Sequence, residues 1–150
     1  MKLRYCVWFL IIITLLVAGG IIYLQGGKEL VAKTWLQAEM PLIYKSLMQL
    51  AHSSPNLYRS GWVEHHLTDI MWSSSFAMLI CGIWVKQFTL LKLLPLGVTC
   101  AIFYEVLQLV GLAGGTFDEW DLIYSFCAGG VATLFTHWLL RGKPIREKSI

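Results

Sequence analysis

Charge is what this sequence has least of: Asp, Glu, Lys and Arg make up 14% of its 150 residues, against 57% hydrophobic ones. A soluble domain carries about 25% charged residues, so this balance excludes the ordinary globular class and makes a lipid bilayer the expected solvent. Cysteine is sparse as well. Cys6, Cys81, Cys100 and Cys127 each lie inside an apolar run, with no Cys-x-x-Cys spacing, which removes the case for a disulfide framework or a structural metal site. The net charge is only +3, and the basic residues flank apolar runs, where they orient membrane proteins, so nucleic acid is not an expected partner. No cofactor is expected either.

What the sequence has in abundance is long apolar runs, over residues 5–24, 67–85, 89–112 and 117–140. Each is long enough to cross a hydrocarbon core of about 30 Å. The expected fold is therefore all-α, a single membrane domain over 1–150 built as a four-helix bundle. The first run exceeds the usual length of a signal-peptide core, and apolar residues continue past Ala18-Gly19-Gly20, so a retained helix is expected. With Lys2 and Arg4 inside, Lys86, Lys92, Arg141, Lys143, Arg146 and Lys148 fall inside too, leaving Lys28, Lys33, Lys45 and Arg59 outside. That is the orientation the positive-inside rule demands, with both termini cytoplasmic. Trp8, Trp84 and Trp138 then fall near the inner interface and Trp62 and Trp120 near the outer one, where amphipathic rings prefer to sit.

Residues 25–66 form the one long external loop. Within it, Leu30, Val31, Trp35, Leu42, Ile43, Leu47 and Leu50 recur at roughly helical spacing, the pattern of amphipathic helices lying along the membrane surface. Pro41 should split the stretch into two short helices, the second ending before Ser53-Ser54-Pro55. The last two membrane helices should form a tight hairpin through the glycines of 111–115, with Thr116 capping the fourth helix in a capping box with Glu119.

Acidic residues are nearly missing from the cytoplasmic side. Of the nine, Glu29, Glu39, Glu64, Asp69, Glu105, Asp118, Glu119 and Asp121 fall outside or in outer helix halves, and Glu147 alone falls inside. Counted at 1.5 Å per residue, Glu105 lies roughly 7 Å above the midplane, and Asp69, Gln108 and Asp121 roughly 10–12 Å above it. Charged groups at such depth are costly against lipid and should turn toward one another or a water-filled crevice. Glu105 with Gln108, and Asp118 with Asp121 and Ser125, share helix faces by spacing. Asp69 and Ser73 add a second-helix contribution, and His65 and His66 either approach from above as a proton carrier or metal ligand or stand as ordinary interfacial histidines. Two adjacent histidines cannot share one helix face, so a metal site is not expected. The expected site is an outward-facing acidic pocket; the alternative is that Asp69 and Asp121 reach interfacial water and merely finish helix ends, with Glu105 in a structural hydrogen bond between helices. Small residues at 73, 77 and 81, and at 125, 129 and 132, instead mark close helix packing.

Glu105-Val-Leu-Gln108, then Gly115-Thr-Phe-Asp118-Glu-Trp-Asp121-Leu-Ile-Tyr-Ser125 and Ala128-Gly129-Gly130, resemble the C-terminal signature of the VanZ-like membrane family. Leu67-Thr-Asp69-Ile-Met-Trp72 resembles that family's acidic-aromatic opening of an earlier helix. The likeness covers roughly residues 65–135. Gly115 stands where the family has Arg, and Ser125 where it has Asn; a glycine cannot supply the two-pronged contact a guanidinium gives an anion. The resemblance implies a bacterial cytoplasmic (inner) membrane protein linked to envelope functions and teicoplanin-type antibiotic resistance, and it carries Glu105, Gln108, Asp118 and Asp121 as site residues.

Three functions fit these residues. The first is a protein that binds a cationic or hydroxyl-rich envelope ligand, such as an envelope lipid or lipid-linked precursor, with no catalytic pair. The second is an enzyme acting on a lipid-linked headgroup, with Glu105 or Asp121 as general base and His65 or His66 as proton carrier. The third is a small transporter, which the scarcity of polar groups in the inner helix halves disfavours. A homo-oligomer is compatible with all three.

Overall fold

The structure, a computed structural model, describes residues 2–26, 31–56, 58, 62–113 and 117–141, with the backbone alone for 31–33, 64 and 65. It is all-helical, with no strand among the described residues. The helices are α1 (Lys2–Gln25), α2 (Val31–Glu39), α3 (Pro41–Ser53), α4 (Thr68–Trp84), α5 (Leu90–Leu109) and α6 (Glu119–Arg141), and a π-helical turn, Val63–Leu67, leads into α4. Helices α1, α5 and α6 are long and apolar enough to cross a membrane. The chain is read accordingly as a membrane protein.

Helix α4 is central, packing against α1, α5 and α6. Its direction relative to each follows from paired residues. Gly19 of α1 sits under the Trp72 ring and Gly82 under the Trp8 ring, so α1 and α4 are antiparallel. Ser73 meets Ser125 and Cys81 meets Thr133, so α4 and α6 run parallel, with α5 returning between them. Lys2, Arg141 and the turn after α4 therefore share one end of the bundle. At that end Lys86 Nζ lies 5.5 Å from the centre of the Tyr5 ring. The opposite end carries the π turn, α3 and the α5–α6 connection.

Close packing comes from small residues in register. A Cβ on Gly129 would lie 2.5 Å from Ala101 Cβ and 3.2 Å from Val98 Cα, so only glycine lets α6 approach α5 this closely. Gly97 is likewise covered by Thr133 and Cys81. Ser73, Ala77, Cys81, Ser125, Gly129 and Ala132 are all buried, as their spacing predicts.

The long connection breaks at Met40, with Pro41 opening α3 where its missing N–H costs nothing. Gln25 ties α3 to the end of α1, its Nε2 donating to the carbonyls of Ala51 at 2.9 Å and Pro55 at 3.1 Å. Trp35, Leu42 and Ile43 remain exposed.

Three boundaries differ from expectation. Helical backbone resumes at Trp62, several residues before 67, through the π turn. Helix α5 stops at Leu109 rather than 112, because Gly111 takes φ +72° and the N–H groups of Leu112 and Ala113 both return to the Leu107 carbonyl, a left-handed stop. Helix α6 starts at Glu119, and the Trp120 N–H donates to the Asp118 carboxylate at 2.9 Å. Asp118 thus caps α6, while Gly114, Gly115 and the expected cap, Thr116, lie outside the described residues.

Candidate functional site

The site is built on one polar contact shared by three helices. Ser73 Oγ of α4 lies 2.9 Å from Ser125 Oγ of α6 and 3.1 Å from the Ala101 carbonyl of α5. One hydroxyl has one proton to give, so both contacts are satisfied when Ser73 donates to the carbonyl and Ser125 donates to Ser73. Because α4 and α6 run one way and α5 the other, one turn further toward the α5–α6 connection is Asp69 on α4, Asp121 on α6 and Glu105 on α5. Each stands four residues from a member of the serine contact and so on the same inward face, about 6 Å along the axis. Three carboxylates on three neighbouring helices therefore occupy one level.

Glu105 ends the buried stripe Leu93, Gly97, Ala101, Glu105 of α5 and is itself only 5% exposed. Its Oε2 is buried and has no hydrogen-bond partner among the described residues. The charges of Asp69, Asp121 and Asp118 act on it, and those of Asp121 and His66 act on Asp69. A buried carboxylate oxygen left unpaired is costly, so this atom is the strongest local indication of a missing polar partner.

Asp121 has a partner. His66 Nδ1 lies 2.5 Å from Asp121 Oδ1, with the two side chains 14% and 16% exposed. The π turn carries His66, and such turns recur at functional sites because the extra residue re-aims side chains. Aromatic rings surround the pair: Tyr124 lies 4.9 Å from His66, and Trp62 Nε1 donates to the Tyr124 hydroxyl at 3.3 Å. On the α1 side, Tyr23 rests 5.3 Å from Trp72, and Asp69 lies within electrostatic range of Tyr23.

The structure thus brings together Asp69, Glu105, Asp121, His66 and Ser125. Asp118 stands exposed at the α6 cap, and Gln108 is half-buried near the end of α5. The side chain of His65 lies outside the described residues. Two cavities flank the cluster, and Glu105 lines neither: an apolar groove of about 430 Å³ between α1, α4 and α6, and one of about 400 Å³ under α3, lined by Gln25, His52 and Asn56. Asp69 and Asp121 likewise line neither cavity. Among the described residues no group of three or more His, Cys, Asp and Glu could hold a metal ion.

Tyr23 and Tyr124 were not singled out by sequence, and Trp62 only as a ring at the outer interface. Trp62 and Tyr124 are 62 residues apart, and no local pattern joins them; only the position of Tyr124 three residues after Asp121 hints at a shared face. No protein-family model, curated protein or solved structure matches this chain.

Proposed function

We propose that the chain is a VanZ-like protein of the bacterial inner membrane that crosses it four times, with the carboxylate level facing outward to receive an envelope ligand. Helix α4 with its π turn is the fourth span: together they run roughly 33 Å at 1.5 Å per residue. The basic end, with Lys2, Arg4, Lys86 and Arg141, is cytoplasmic by the positive-inside rule. The acidic end is external, where α2 and α3 lie along the membrane surface with Trp35, Leu42 and Ile43 in lipid. The observation that carries the reading is the unpaired Oε2 of Glu105 within a level of three carboxylates. A cationic or hydroxyl-rich ligand would supply the donor that this atom lacks, and the physiological result would be envelope protection or teicoplanin-type resistance.

The pair His66–Asp121 favours one further reading, an enzyme on a lipid-linked headgroup in which Asp121 orients His66 as proton carrier. Its nucleophile is not in evidence, since the Ser125 hydroxyl is engaged with Ser73. A susceptibility panel of cell-wall antibiotics and bacteriocins, on cells with and without the protein, tests the first reading. Protection that disappears in Glu105→Gln at normal protein level is the expected result; undiminished protection would refute the assignment of Glu105. Headgroup release from lipid-linked precursors in nanodiscs, abolished in His66→Gln, would instead select the enzyme.

A further inference from the structure

The apolar groove between α1, α4 and α6 begins where the polar cluster ends. On α4, Ile70 and Ser74 line it, one and two turns below His66; on α6, Tyr124 and Ala128 line it, one and two turns below Asp121. Tyr124 belongs to both, since its ring also packs on His66. The His66–Asp121 pair therefore stands one helical turn beyond the lining residues, above the mouth of the groove. We infer that the groove seats the hydrocarbon chain of an envelope lipid whose uncharged, sugar-bearing head group is received at this mouth, an inference that rests on the envelope-ligand reading above.

Dimensions select the occupant. Along α6 the groove runs from Tyr124 to Phe135, roughly 17 Å at 1.5 Å per residue, so its volume of about 430 Å³ gives a mean cross-section on the order of 25 Å². That is the girth of one alkyl chain. A partner helix about 10 Å across would fill the same volume with a single turn of about 5.4 Å, and so is too wide for it. The head group follows from the mouth. Among the described residues no Lys or Arg lines the groove, and Asp69, Asp121 and Glu105 stand close by, so a phosphate there would meet three carboxylates with His66, itself paired to Asp121, as the counter-charge. Sugar hydroxyls, by contrast, donate to carboxylate and imidazole acceptors, and the rings of Trp62 and Tyr124, 5.9 Å apart and nearly perpendicular, offer apolar faces to sugar C–H groups.

The test uses the full chain in nanodiscs and two photoactivatable probes that share one mid-chain diazirine palmitoyl group, glucosyl monoacylglycerol and lyso-phosphatidylglycerol. Saturable labelling of Leu15, Ala128 and Val131 by the glucosyl probe is expected, reduced about tenfold or more in Ala128→Trp, which fills the groove. Ala128→Leu, a milder change, should give an intermediate loss if the tryptophan variant does not fold. Equal labelling by the lyso-phosphatidylglycerol probe would mean ordinary bilayer lipid and overturn the inference, as would labelling spread beyond the groove or a covalent dimer formed through it. Loss of protection in Glu105→Gln with no groove labelling would leave the envelope-ligand reading standing and sink this one. Specific groove labelling with protection intact in Glu105→Gln would do the reverse.

Discussion

At the scale of single residues, the account turns on how buried polar groups find partners. His66 and Asp121 pair with each other, Ser125 and Ser73 form a hydrogen-bonded chain to the Ala101 carbonyl, and Glu105 Oε2 is left over. The first of these contacts is measurable. His66→Gln and Asp121→Asn should each lower thermal stability in detergent, and the double variant should lose less than the two combined, with a coupling of about 0.5–3 kcal/mol. Strict additivity would show that the pair makes no energetic contact. Sequence exposed part of this arrangement. Leu93, Gly97, Ala101 and Glu105 recur every fourth residue, so helical period alone turns Glu105 the same way as two small packing residues. The pairing of His66 with Asp121 was not legible: the partners are 55 residues apart, and a π turn, which no periodicity announces, aims the histidine.

At the scale of helices, contact is set by where side chains are absent. The neighbours Gly129 and Gly130 make this testable within one turn of α6: a Cβ on Gly129 would lie 2.5 Å from Ala101 Cβ, whereas one on Gly130 meets nothing within 4 Å. Gly129→Val should cost about 1–3 kcal/mol through overpacking. Gly130→Ala should be neutral or stabilise by up to about 1 kcal/mol, since alanine suits a helix better than glycine. Thermal unfolding of both variants in one detergent checks the contrast; equal effects would mean that α5 and α6 do not approach as described. The small-residue spacing and the break at Pro41 were readable because each has a local cause, a missing side chain or a missing N–H. The end of α5 was misjudged, because apolar residues continue past Leu109 while Gly111 reverses the backbone, and α6 begins two residues later than its apolar run, where the Asp118 carboxylate accepts from the Trp120 N–H.

At the scale of the whole molecule, charge is sorted along the bundle axis. Lys2, Arg4, Lys86 and Arg141 gather at one end, and Asp69, Glu105, Asp118, Glu119 and Asp121 toward the other. Composition and the flanking positions of Lys and Arg announced this separation before any packing was known. The order of helices around α4 was not announced, because hydropathy marks a span without saying which span it touches. The proposed function requires that the acidic end face outward. In a background with Cys6, Cys81, Cys100 and Cys127 replaced by alanine, single cysteines at the exposed positions Asp118 and Arg141 can be probed in intact cells with a membrane-impermeant maleimide. Asp118→Cys should label at once and Arg141→Cys only after the membrane is opened; the opposite pattern, or labelling of both in intact cells, would contradict the account.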